Sequence, residues 1–162
     1  MTLLENIDLT SSPELQDRVN KNTLTISDHL ILALANFTAA LLPTCETYVG
    51  AQQQDVDTPA VFVDYYDIRN SQKLIDTDEF LFGIEITYIP SEPTATYEMQ
   101  NVIFTIQQNL FRLKSDIGVF SCYDKDSDIT DGLAHVTGTV TVGEMTINNS
   151  PLIQTIDKEL IA

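Results

Sequence analysis

Hydrophobic side chains recur at two spacings along the chain, and each spacing predicts a different kind of element. Over residues 27–42 they return every three or four positions, which places them on one face of a helix. Thr25 or Ser27 stands where it can cap the first turn, and Pro43 ends the pattern. A second pattern of the same kind predicts a helix over 95–114. Its apolar positions are Met99, Val102, Ile103, Ile106, Leu110 and Leu113.

Strand patterns fill the intervals between the two helices. In 80–89 and 133–142 apolar and polar residues alternate, so one face of each strand is predicted to be buried and the other to be wet. Runs rich in β-branched and aromatic residues predict three further strands, at 44–49, 60–68 and 119–123.

The order of these elements predicts two antiparallel hairpins. The tip of the first is the polar stretch 69–79, and the strands of the second are joined by the acidic loop 124–132. Helices separated by hairpins place both helical stripes on one side of a single sheet. The predicted fold class is therefore α+β, an antiparallel or mixed β-sheet with two main helices packed on one face and the other face wet or covered by a neighbour.

The same patterns divide the chain into three parts. Residues 1–24 are polar and lack a sustained period, so we interpret them as an N-terminal arm that orders only against a partner and lies outside the core. Residues 25–143 form the α+β domain, and 144–162 form a C-terminal extension. A chain of 162 residues is long enough to bury one core.

The net negative charge of the chain argues against some classes of binding partner. The 24 acidic and 8 basic residues give a formal net charge of −16, and the basic ones are dispersed among acids. Such a field repels phosphate backbones and anionic lipid headgroups, which argues against ordinary nucleic-acid or membrane-surface binding. Solubility is the general explanation for an acidic surface.

Cysteine usage and hydropathy indicate a protein made in the cytoplasm. Cys45 and Cys122 are too few for a disulfide framework, and we interpret both as reduced side chains on strands. The first ten residues do not resemble a signal peptide. The longest apolar stretch, 30–42, is interrupted by Asn36 and Thr38 and is too short to span a bilayer.

The sequence contains no complete motif for metal binding or catalysis. The run from Asp124 to Asp128 places oxygen ligands at alternate positions, as a calcium loop does. However, Ile129 stands where that loop needs glycine and His135 where it needs a bidentate glutamate. His29 also lacks a ligand at helical spacing, and the sequence has neither a nucleophile elbow nor a phosphate-binding loop. We therefore expect no cofactor, no metal and no enzymatic activity.

Four segments carry a resemblance to a known family. They are the helix ending in Leu41-Leu42-Pro43, the strand 59–63, the strand 82–90 and the acidic-glycine entry to the last strand, 130–136. In this order, residues 26–142 resemble the tail-terminator, or tail-completion, proteins of long-tailed bacteriophages and prophage-derived tails. The two terminal segments depart from this pattern.

The resemblance implies a structural role in the virion tail. Members form a ring, commonly of six copies, that caps the tail tube, ends its polymerisation and later joins the tail to the head. The implied partners are copies of the chain itself, the tail-tube protein and the head-tail connector protein, and DNA passes through without specific binding. A passage lined with carboxylates would let DNA slide without electrostatic capture.

We predict that the hairpin tip and the acidic loop face neighbouring subunits or this passage. The candidate residues are Arg69, Lys73, Asp76, Asp78, Glu79, Asp124, Asp126, Asp128 and Asp131. Three other interpretations remain open. They are a different head-tail connector or tail-tube subunit, an acidic protein that imitates DNA, and an enzyme whose site is assembled from residues distant in sequence.

Overall fold

The computed structural model describes residues 7–10, 12–50, 55–74 and 77–145. In chain order the elements are β1 Ile7–Asp8, α1 Pro13–Lys21, α2 Ile26–Leu41, β2 Glu46–Val49, β3 Ala60–Leu74, β4 Thr77–Ile89, α3 Thr96–Asn109, β5 Arg112–Ser115, β6 Gly118–Thr130 and β7 Leu133–Met145. The candidate Asp76 and nearly all of the predicted C-terminal extension lie outside the described residues.

The seven strands form one mixed sheet in the order β1-β2-β3-β4-β7-β6-β5. β1, β2 and β3 run parallel to one another, and the remaining neighbours are antiparallel. α2 packs against β2 and β3 near one edge of the sheet and also against β5 at the other edge, so the sheet is curled around this helix. α3 packs against β7 and β6.

Both long helices contribute to one core on one face of the sheet. Buried side chains from α2, α3 and the same face of the central strands form a single cluster, which includes Leu34, Ile106 and Ile86. This arrangement confirms the predicted fold class, an α+β domain with two main helices on one face of a mixed sheet.

Helix α2 forms where the sequence predicts a helix because its start signal is complete. The Thr25 side chain accepts a hydrogen bond from the Asp28 amide at 3.2 Å, and the Asp28 carboxylate accepts one from the Thr25 amide at 2.9 Å, a capping box. Every residue from Leu30 to Ala35 is buried. A helix that is apolar all round is one enclosed by the rest of the fold.

The predicted N-terminal arm is wrong for the residues that the structure describes. β1 pairs with β2, and Leu9 and Leu15 belong to the core cluster. Arg18 on α1 donates to both carboxylate oxygens of Asp28 at 2.7 and 2.8 Å, which ties α1 to α2. Residues 7–10 and 12–21 are therefore part of the packed fold, while the division of the chain into three parts stays a prediction.

The second predicted helix is too long at its C-terminal end. α3 ends at Asn109, and residues 112–115 form β5 instead. Leu110 and Leu113 are both buried, and their spacing of three fits a helix as well as it fits the observed turn followed by a strand. In β5 the side chains alternate, with Leu113 buried between exposed Arg112 and Lys114.

Both predicted hairpins exist, but their tips are strands rather than loops. β3 continues to Leu74 and β4 begins at Thr77, so most of 69–79 is paired backbone. β6 and β7 pair up to a two-residue turn at Asp131 and Gly132, whose φ angles are 54° and 74°. Positive φ at both positions is the geometry of a tight type I′ hairpin turn. The first hairpin therefore extends past the core, where the sequence is polar, whereas β7 of the second hairpin keeps Ala134 and Val136 in the core up to the turn.

Candidate functional surface

The face of the sheet opposite the helices carries most of the polar chemistry. Side chains alternate between the two faces of a strand, so burial of Ile84 and Ile86 in the core places Glu85 and Thr87 on the other side. We call this side the outer face. A small apolar cluster covers one part of it, where Tyr48 stacks on Phe62 with ring centroids 4.9 Å apart.

Strand register aligns three carboxylates in one row across the outer face. Asp64 on β3 lies opposite Glu85 on β4, Glu85 opposite Thr137 on β7, and Thr137 opposite Asp126 on β6. Four adjacent strands span about 14 Å. Asp128 belongs to the neighbouring row, opposite His135.

Local hydrogen bonds reduce the repulsion between these acids. Like charges directly opposite each other on two strands destabilise a sheet. The Asp64 carboxylate accepts a hydrogen bond from the Tyr65 amide at 2.8 Å, and Glu85 pairs with His135 Nδ1 at 2.9 Å. Both members of the His135–Glu85 pair are half-buried. The Asp126 carboxylate accepts a hydrogen bond from the Ser127 amide at 2.8 Å. Each carboxylate of the row therefore has a local partner, and the face remains acidic.

A β-bulge in β3 brings Asp67 and Arg69 onto the same outer face. The register of β3 and β4 shifts between Tyr65 and Asp67, and the Tyr66 ring lies across Gly83. A Cβ at Gly83 would come within 2.5 Å of that ring, so glycine is required for the ring to lie there. Arg69 forms an exposed ion pair with Asp67 at 2.6 Å.

The structure brings some of the predicted site residues together and separates others. Asp126 and Asp128 share the outer face with Arg69, and alternation along β4 places Glu79 on the same face. Asp78, by the same alternation, points to the opposite side, and Lys73 lies on β3.

Two predicted acids occupy special backbone positions. Asp124 has a φ of 51° at a second bulge, between Tyr123 and Asp126, and Asp131 begins the tight turn. Lys125 beside the bulge turns to the helix side, where its Nζ lies 3.6 Å from the centre of the Phe111 ring and donates to the Gln107 carbonyl at 2.8 Å. The bulge thus removes a positive charge from the acidic outer face.

Asp64, Asp67, Glu85 and His135 were not among the predicted site residues, although alternation in 133–142 placed His135 on the polar face of its strand. The alternation in 80–89 also placed Glu85 on the face away from the core, so its position on this surface could have been predicted from the sequence. Asp64 and Asp126 meet in one row only through strand order and register.

The described residues offer little for catalysis or metal binding. Across 7–10, 12–50, 55–74 and 77–145, no three His, Cys, Asp or Glu side chains come together to hold a metal ion. Cys45 and Cys122 are free and buried, and burial raises the pKa of both thiols, which makes them poor nucleophiles. In the same part of the chain no single helix is long and apolar enough to cross a membrane. α1 and α2 meet that length and composition test only as a pair bent by 105°.

Comparison with known families decides the wider assignment. A family model described as phage tail terminator protein matches residues 25–151. The chain belongs to this family. The match begins at the N-cap of α2 and runs past the end of β7, so the carboxylate row lies within the tail-terminator region and β1 and α1 lie outside it. No curated protein matches the chain significantly.

Membership of the tail-terminator family fixes the broad function. The chain is a structural component of a phage tail, and the family is structural rather than enzymatic. This result confirms the resemblance noted in the sequence, and it favours a tail terminator over the tube-subunit, connector and DNA-mimic interpretations.

Proposed function

We propose that this protein caps the tail tube as a ring of identical copies, commonly six, which ends tube polymerisation and provides the surface that joins tail to head. The observation that carries the proposal is the family match, which spans the whole fold from α2 to β7. A ring requires two different surfaces of each copy to meet head to tail. β1 and β5, the outermost strands of the described sheet, offer two such surfaces. The partners are other copies of the chain, the tube protein and the head-tail connector protein, and synthesis takes place in the host cytoplasm.

We further propose that the outer face lines the central passage. Asp64, Glu85, Asp126 and Asp128 would then face the phosphates of passing DNA, and repulsion would keep the DNA from binding. Charges act over about 8 Å at physiological salt, so only carboxylates close to the DNA contribute. No base-specific or high-affinity contact is needed for this role.

Tail length in the absence of the protein tests the capping role. We expect phage lacking the gene to make tails of irregular length that do not join heads, and complementation with the wild-type chain to restore both properties, as seen by electron microscopy. Tails of normal length joined to heads would contradict the proposal. A tube subunit would instead form long tubes by itself, and a DNA mimic would stay small and capture a basic protein.

Neutralising the carboxylate row tests the passage separately from capping. The variant Asp64→Asn, Glu85→Gln, Asp126→Asn removes three charges and keeps side-chain size. We expect normal tail length and head joining with slower DNA delivery. The matched control, Asp17→Asn with Glu14→Gln and Glu92→Gln, removes three exposed carboxylates elsewhere and should not change delivery. Delivery at the wild-type rate in the row variant would overturn the assignment of this face to the passage.

A further inference from the structure

A groove with positive charge lies between α2 and β5. Its volume is about 490 Å³, and its apolar lining includes Ala33 and Phe37. Arg112 and Lys114 border it with exposed side chains, and they are two of the eight basic residues in a chain of net charge −16. The Oδ1 atom of Asn36, which also lines the groove, is buried without a hydrogen-bond partner. We call this surface the β5 groove. One acid, Asp116, lies next to it in the turn that follows β5.

The opposite edge of the sheet is acidic. Asp8 on β1 and Glu46 on β2 lie near Tyr48, as does Asp57 from the segment before β3. Asp8 lies opposite Tyr48 in the parallel pairing of β1 and β2, and Glu46 lies two residues before Tyr48 on the same strand, so their side chains share one face. Burial raises the pKa of the Tyr48 phenol, and the three carboxylates raise it further. Glu46 and Asp57 are exposed. We call this surface the β1–β2 edge.

The two surfaces lie at the two ends of the sheet. The strand order places β1 and β5 at opposite ends, and α2 packs against both β2 and β5. Because the sheet curls around α2, the two surfaces lie on the two flanks of that helix. A head-to-tail contact needs two different, complementary patches on each copy. The β5 groove is basic and borders the outermost strand β5, and the β1–β2 edge is acidic and includes the outermost strand β1.

We propose that the β5 groove of one copy receives the β1–β2 edge of the next copy, with Arg112 and Lys114 pairing with Glu46 and Asp57. This contact rests on the proposed ring and specifies the interface that closes it. The acidic hairpin of β6 and β7 is the alternative occupant, but β6 adjoins β5. Its acids Asp126 and Asp128 lie on the outer face, which is assigned above to the passage, whereas the groove opens beside α2.

Charge reversal in two separate variants tests the contact. One variant carries Arg112→Glu and Lys114→Glu, and the other carries Glu46→Lys and Asp57→Lys. Native mass spectrometry would follow assembly of the purified chains, alone and on ends of tubes made from the tube protein. Each variant alone brings like charges together, so we expect subunit association to weaken by about tenfold to a hundredfold. A mixture of the two should assemble again, because alternating copies restore opposite charges at every contact.

Controls separate the contact from folding and from net charge. Lys114→Glu alone should weaken assembly more than Lys21→Glu, which makes the same charge change on an exposed position of α1. Far-UV circular dichroism of every variant should match the wild type, because the four reversed side chains are exposed.

The outcomes distinguish this inference from the proposed function. Wild-type chains that never assemble, even on tube ends, would overturn the ring itself. A wild-type ring that the reversals leave intact would overturn the contact alone. Rescue of Arg112→Glu, Lys114→Glu by Asp126→Lys, Asp128→Lys instead of by Glu46→Lys, Asp57→Lys would overturn it in favour of the hairpin.

Discussion

The ion pair between α1 and α2 predicts that the N-terminal segment contributes measurably to stability. Asp28 is 5% exposed and accepts hydrogen bonds from the Arg18 guanidinium and from the Thr25 amide. The change Asp28→Ala removes both sets of bonds. The change Arg18→Ala removes one set and leaves the buried carboxylate with Thr25 alone.

The expected losses follow from these contacts. A capping interaction contributes about 1 kcal/mol. Bonds to charged groups contribute about 1.5–3 kcal/mol, and the lower end applies because 37% of the Arg18 side chain is exposed. We therefore expect Asp28→Ala to lower the free energy of unfolding by about 2–3 kcal/mol and Arg18→Ala to lower it by a smaller amount. The coupling between the two changes should be about 1 kcal/mol.

Urea denaturation of the two single variants and the double variant measures this coupling. The chain has no tryptophan, so far-UV circular dichroism is the suitable probe. The pair Asp17 and Lys21 on the same helix is the matched control. Both of its side chains are more than half exposed, and its coupling should reach only about 0.3–0.5 kcal/mol. Additive losses at Arg18 and Asp28 would refute the docking of α1 onto α2.

Three further predictions concern pH, backbone space and the core. Burial raises the pKa of Asp28, but the hydrogen bonds from Arg18 and Thr25 outweigh it and lower the pKa overall. The stability that its charge provides should be constant above about pH 5 and disappear as pH falls below about 4, so urea curves of wild type and Asp28→Asn should converge there. Gly83→Ala should turn the Tyr66 ring away from the strand at a small cost, within about 0.5 kcal/mol, because that ring is 54% exposed and can move, and Tyr66→Ala should remove the cost in a double-variant melt. Leu113→Ala, at a side chain with no exposed surface, should cost about 2–5 kcal/mol in the same urea assay, and a loss below about 1 kcal/mol would contradict its place in the core.

The main helices and hairpins could be predicted because each carries a local signal. α2 has a capping residue, apolar positions at helical spacing and a proline stop, and it lies within one residue of the predicted start and end. In β4 alternation identified both faces because the helices cover only one of them. Signals of this kind come from burial, so they are strongest where an element crosses the core.

The elements that were missed lack such a signal. α1 has only Leu15 and Val19 facing inward, one turn apart, which is too short to establish a period. The strand ends at 69–74 and 124–130 are mostly polar in sequence, and backbone pairing to β4 and β7 holds them without a hydrophobic pattern. β5 was assigned to a helix because Leu113 lies three residues after Leu110.

The carboxylate row could not be predicted for a different reason. Asp64, Glu85 and Asp126 are far apart in sequence, and they align only because β7 lies between β4 and β6 in the sheet. Two bulges, after Tyr65 and after Tyr123, shift the register by one residue and decide which acids face outward. Neither strand order nor bulge position is visible in hydrophobic spacing.

Electron cryomicroscopy of tails completed by the wild-type chain tests the central claim most directly. We expect one closed ring at a single end of each tube, with the sheet face that carries Asp64, Glu85 and Asp126 directed toward the channel. Copies distributed along the tube, or a ring whose channel is lined by α2 and α3, would contradict it.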